Sequence, residues 1–160
     1  MTLALLTSDL ALLRKSHRRQ LALCAELEEI ADDLPDRVDR QRCLYLARAL
    51  CPIITEAHAL EERALFPYLR LLTRTLPNLD ATIERLRWEH FEDFCFSEEL
   101  RDALFDLGRG EHRMNPETLG YMLRCFFESL RRHIAFEREM LVPACEAVPT
   151  QANRNGTEAP

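Results

Sequence analysis

Four stretches of this chain repeat an apolar residue every three or four positions, and the breaks between them are short. A stripe with that period has to be buried along one side of a helix. The first stretch runs from about Ser8, a good N-cap, to near Asp33, with Leu10, Leu13, Leu21, Cys24 and Leu27 on its stripe. The second runs from near Asp36 to about Thr73, with Leu44, Ala47, Cys51, Ile54, Leu65, Leu69 and Leu72 inward. Pro52 lies inside it and is expected to bend or split it. Pro77-Asn78 precedes the third, whose stripe of Leu79, Ile83, Leu86, Phe94, Leu100 and Leu104 ends at about Leu107. Asn115-Pro116-Glu117 then supplies an N-cap, a proline at the first helical position and an early acid. The fourth stripe, Leu119, Met122, Phe126, Leu130, Met140 and Ala144, reaches about Cys145. Leucine occurs 28 times against 8 for valine and isoleucine together, which favours helix over strand throughout.

Short connections make consecutive helices antiparallel. The expected fold is therefore all-α, an up-down-up-down four-helix bundle over residues 1–147, with residues 148–160 a polar, disordered C-terminal tail. A chain of 160 residues has room for one domain with a real core. Its net charge of −6 argues against a protein built to hold nucleic acid or anionic lipid. No run approaches the roughly 20 apolar residues of a membrane span. The apolar start lacks a basic n-region and meets Asp9 early, a poor signal peptide. The cysteines show no C-x-x-C pair, so they are expected to be reduced core residues of a cytoplasmic protein, with Cys24 and Cys51 facing each other across the core.

Each stripe is interrupted by one histidine: His17, His58, His90 and His133. In the bundle topology His17, His90 and the glutamates Glu62 and Glu137 lie about 8 to 12 residues from one end, roughly 12–18 Å deep at 1.5 Å per residue, and form one layer with His58 and His133. The fifth, His112, falls in the loop at the other end. Glutamates follow two of the four at i+4, Glu62 after His58 and Glu137 after His133, on the same helical face. Six polar groups converging in an apolar core would be costly unless something satisfies them. Four imidazoles and two carboxylates suit a pair of iron ions, and the absence of cysteine from the set argues against a structural zinc site. The halves also repeat: His17 precedes His58 by 41 residues and His90 precedes His133 by 43. Leu65-Phe66-Pro67 follows the first pair and Leu141-Val142-Pro143 the second. Glu61 competes with Glu62 at the first pair, but the second has Phe136 at i+3, so the repeat favours Glu62.

The order H…HxxxE…H…HxxxE, with LFP after the first pair, resembles the hemerythrin-like HHE cation-binding family over about residues 8 to 146. The resemblance implies a non-haem di-iron centre with an oxo or hydroxo bridge. Its ligand would be dioxygen or a related small molecule, nitric oxide or peroxide. Carried over, His17 and His58 would hold one iron, His90 and His133 the other, and Glu62 and Glu137 would bridge them. Oxygen-carrying members have a fifth histidine four residues before the one on the third helix, where this chain has Leu86. That departure turns expectation from reversible oxygen carriage toward sensing, nitric oxide capture or peroxide turnover, beside Leu13, Ile54, Leu86, Phe94 and Leu130 as an apolar wall. Binding or sensing is favoured over catalysis; the alternatives are an enzyme that consumes peroxide or repairs iron centres, and a plain iron-binding module.

Overall fold

The computed structural model describes residues 3–72, 78–111 and 113–146, so the expected tail and His112 lie outside the described residues. The fold is an all-α four-helix bundle. Helix α1 spans Leu3–Asp33 and α2 spans Arg40–Leu60. A π-helical turn, Glu61–Leu65, carries α2 into α3, Phe66–Leu72. Helix α4 spans Leu79–Arg109 and α5 Pro116–Phe136, and a second π turn, Glu137–Leu141, leads into α6, Val142–Glu146. Around the bundle α1 lies between α2 and α5, and α4 closes the ring against both.

Local chemistry accounts for most boundaries. Asn115 accepts a hydrogen bond from the Glu117 amide at 2.8 Å, with Pro116 opening α5 as expected. At α2 the cap is Asp39, which accepts from the Arg42 amide at 3.1 Å, so this helix starts later than Asp36. Ser8 caps nothing, because α1 already begins at Leu3. Pro52 does not split α2, which continues through it with the proline on the exposed side.

The ladder slips further along, at both π turns. Pro67 and Pro143 lack the N–H that would bond to the carbonyls of Arg63 and Glu139. One residue earlier, the Phe66 and Val142 amides reach back to the Glu61 and Glu137 carbonyls, five residues away. The extra residue turns Leu141 and Val142 inward and leaves Met140 exposed, against the expectation for that stripe.

The core divides into two apolar clusters. One, at the end where α1 begins, includes Leu10, Leu13, Leu65, Leu86 and Leu141. The other includes Cys24, Ile54, Leu100, Leu123 and Leu130. Along every rod the histidine falls between a residue of one cluster and a residue of the other. Arg40–Arg70 is, by length and composition, apolar enough to cross a membrane, more so than the sequence reading allowed. Its apolar side is the bundle core, with Leu46, Leu50 and Ile54 buried there.

Candidate metal centre

His17, His58, His90 and His133 are all buried between the two clusters. The His58 and His90 rings stack with centroids 4.0 Å apart and planes 7° from parallel, and His133 lies 5.3 Å from His90. Two carboxylates share the layer, both wholly buried: Glu61 and Glu137. Each is the first residue of a π turn.

Glu62 does not enter the layer. Its side chain is 41% exposed, and its Oε1 accepts a hydrogen bond from His90 Nδ1 at 3.1 Å. Glu89 does the same for His133, accepting from Nδ1 at 3.1 Å. With Nδ1 donating outward, the inner Nε2 of each ring is the atom left for the layer, which is how carboxylates orient metal-binding imidazoles. His90 Nε2 lies 3.0 Å and His133 Nε2 3.6 Å from the same oxygen, Glu61 Oε2. His17 Nε2 donates to Glu137 Oε2 at 2.8 Å, and His133 Nε2 is 3.6 Å from Glu137 Oε1.

The repeat pointed to Glu62 because it was measured from the histidines. Measured back from the prolines, Glu61 and Glu137 each stand six residues before Pro67 and Pro143. By the same measure His133 is ten residues before its proline, and Ala57 holds that place in the first half. His58 stands one residue later, about 100° further round the helix. It consequently meets His90 on α4, where the pairing expected from the sequence had it beside His17.

Donors gather in two groups that share Glu61: His58, Glu61 and His90, and His17, Glu61 and Glu137, each within 4.8 Å. The residues fit a metal on a further ground. Both Glu61 oxygens, Glu137 Oε1, and the Nε2 atoms of His58, His90 and His133 are buried without an aligned hydrogen bond, the approach of His90 Nε2 to Glu61 Oε2 at 3.0 Å being an ion-pair contact only. Orphaned polar atoms at this density are rare in a folded core and costly to keep. Charge is balanced by protons where no metal is bound. Burial opposes charge on His133, but Glu137 and Glu61 outweigh it and lift the imidazole to about 11. Burial likewise opposes charge on His90, which Glu61 and Glu62 raise nonetheless. Burial would raise Glu137, yet His133 and His17 hold it down to about 2. His58 goes the other way: burial, with His90 and His133 beside it, outweighs the Glu137 carboxylate and keeps it neutral.

A family match described as the Hemerythrin HHE cation binding domain covers residues 8–145. The chain belongs to the hemerythrin HHE family. No curated protein and no solved structure matches it. This HHE domain therefore belongs to a cation-binding family and carries buried His/Glu groups able to hold a metal.

Besides the wholly buried Ser97, two polar residues of this HHE domain's core are not expected from the sequence. Asp93 is buried with its Oδ2 3.8 Å from His58 Nε2, and burial pushes its carboxyl up to about 6. Gln20 is 1% exposed and neither amide atom has a partner. Each stands three residues after a layer histidine, a spacing open to inspection in the sequence. Phe94, expected to wall the pocket, is instead partly exposed, and Asp93 and Ser97 occupy the inward positions. Cys24 and Cys51 do not face each other. Cys24 Sγ lies 3.7 Å from the Phe127 carbonyl on α5, and Cys51 Sγ 3.5 Å from Ser97 Oγ on α4. Cys95 and Cys125 are exposed and not core at all.

Proposed function

We propose that this layer holds two iron ions, joined by an oxo or hydroxo bridge, and that the protein binds or senses dioxygen, nitric oxide or peroxide there. The observation that carries the reading is the pair of wholly buried carboxylates, Glu61 and Glu137, set among four buried imidazoles with Glu61 common to both donor groups. His58 and His90 would serve one ion and His17 the other, with His133 within reach of both carboxylates. Bound iron supplies a change of oxidation state and a coordination position for a small ligand. The chain supplies the rest. Glu62 and Glu89 hold the imidazoles of His90 and His133 in one tautomer. Leu13, Ile54, Leu86 and Leu130 keep the surroundings dry. Six free cysteines, two of them exposed, suit a reducing cytoplasm.

A peroxide-consuming enzyme is the second reading, favoured by Leu86, which offers no donor one turn before His90. Anaerobic loading of the metal-free protein with ferrous iron is expected to give about two irons per chain. Glu61→Ala and Glu137→Ala should each lose most of that metal. Wild type holding one iron or none, or both variants holding the full amount, would overturn the assignment. Exposure of the ferrous protein to oxygen then separates the readings. A reversible charge-transfer band supports binding or sensing; catalytic disappearance of added peroxide supports the enzyme; stable metal with neither supports a plain iron-binding module.

A further inference from the structure

We propose that Asp93 is a further metal ligand, on the ion held by His58 and His90, and that the two metal positions are therefore unlike. The proposal rests on the two-metal reading above. His58 Nε2 is buried and has no hydrogen-bond partner, and the carboxylate facing it is Asp93, with Oδ2 at 3.8 Å. That distance is too long for a hydrogen bond. It suits two donors of a single ion, which sit about 3–4 Å apart when each bond is near 2.1 Å.

The position of His58 makes the same point. The histidine of the second half, His133, is ten residues before its proline, and Ala57 fills that place in the first half. His58, one residue later, is turned toward α4 and stacks on His90 at 4.0 Å. Asp93 lies on α4, three residues beyond His90, which places it on the side to which His58 has turned. The matching place in the first half, three residues after His17, holds Gln20, a side chain without charge.

Asp93 is also placed to meet a metal arriving from solvent. A groove of about 450 Å³ between α4 and α5 is lined by Glu89, Glu92, Asp93, Arg132 and His133, among others, and of these Asp93 and His133 are the buried members. One carboxylate thus touches both the groove and the orphaned imidazole. Among the described residues its ion-pair contact is with His58 and not with a guanidinium.

Anaerobic titration with cobalt(II), followed through the d–d absorption bands, tests this without reference to activity. Wild type should take up two cobalt ions. Asp93→Asn should bind one with unchanged affinity and the other at least tenfold more weakly, with an altered band, and Asp93→Glu should recover much of the loss. Far-UV circular dichroism of the metal-free variants checks the fold, and Asp93→Ser carries the same test if the asparagine variant loses helix. Two ions bound by Asp93→Asn with wild-type affinity and spectrum would overturn the role of Asp93 and leave the two-metal reading standing. Fewer than two ions in wild type would remove both.

Discussion

Glu61 and Glu62 are neighbours in the chain with opposite surroundings: one wholly buried among imidazoles, the other at the surface with a hydrogen bond to His90. Their roles should separate by substitution. Glu61→Gln is expected to abolish binding of at least one metal. Glu62→Gln should keep the stoichiometry and weaken affinity by about 10–100-fold, the usual effect of losing a carboxylate that orients a ligand. Equilibrium dialysis against ferrous iron measures both, and the reverse ranking would return Glu62 to the ligand set. Cysteine environments differ as sharply. Burial pushes Cys24 up to about 12, and Cys43 and Cys145 to about 11, so none forms thiolate at neutral pH. Alkylation of the native protein should mark Cys95 and Cys125 first and reach Cys24 only on unfolding. Peptide mass spectrometry reads the order directly, and early labelling of Cys24 would contradict its burial.

At the scale of elements, helix packing at the end away from the metal layer is set by one close approach. A Cβ on Gly108 of α4 would lie 2.7 Å from Leu44 Cγ and 3.0 Å from the Arg40 carbonyl of α2. Backbone cannot yield cheaply there. Gly108→Ala should therefore lose about 1–3 kcal/mol despite alanine's better helix propensity. Gly120 on α5 is the contrast, because its Cβ would meet no backbone, only the guanidinium end of the long Arg124 side chain at 3.1 Å and Leu34 Cδ1 at 3.7 Å. There the propensity gain, about 0.5–1 kcal/mol, should prevail. Thermal melts of the two variants should move in opposite directions, and a shared sign would show that something other than this approach governs α4. The π turns act at the same scale. Proline breaks the ladder in both halves, and each slip begins at a buried glutamate.

For the molecule as a whole, the polar layer is a weak plane between two apolar clusters until a metal fills it. Iron should accordingly raise the melting temperature, and coincident melts with and without iron would count against the centre. The metal-free protein should also lose stability on the alkaline side. His133, raised to about 11 when folded, and His90, also raised, hold protons that the unfolded chain releases near 6.5. Above that pH the native state binds more protons, so the contribution is full below about 6.5 and declines through the folded values. Each group accounts for at most about 1.4 kcal/mol per pH unit, a few degrees of melting temperature. Melts between pH 6.5 and 9 should fall steadily without metal and much less with it. A flat profile for the metal-free protein would mean that the imidazoles of His90 and His133 are not protonated.

Helical period alone determined a great deal here: four helices, their order around a bundle, the proline-led start of α5, and four histidines at one depth with Glu137 beside them. Those features need only which face of a helix a residue occupies, and a stripe of leucines records that directly. The choice between residues one position apart needed tertiary structure. A step of one residue is about 100° on a helix. A π turn adds another such step, and an apolar stripe wider than that absorbs both without trace. So Glu61 over Glu62, the turn of His58 toward His90, and the burial of Asp93 in place of Phe94 were decided by packing and by the slipped ladders before Pro67 and Pro143. The prolines stood in the sequence as the better ruler, since they mark where the ladder slips and the histidines do not.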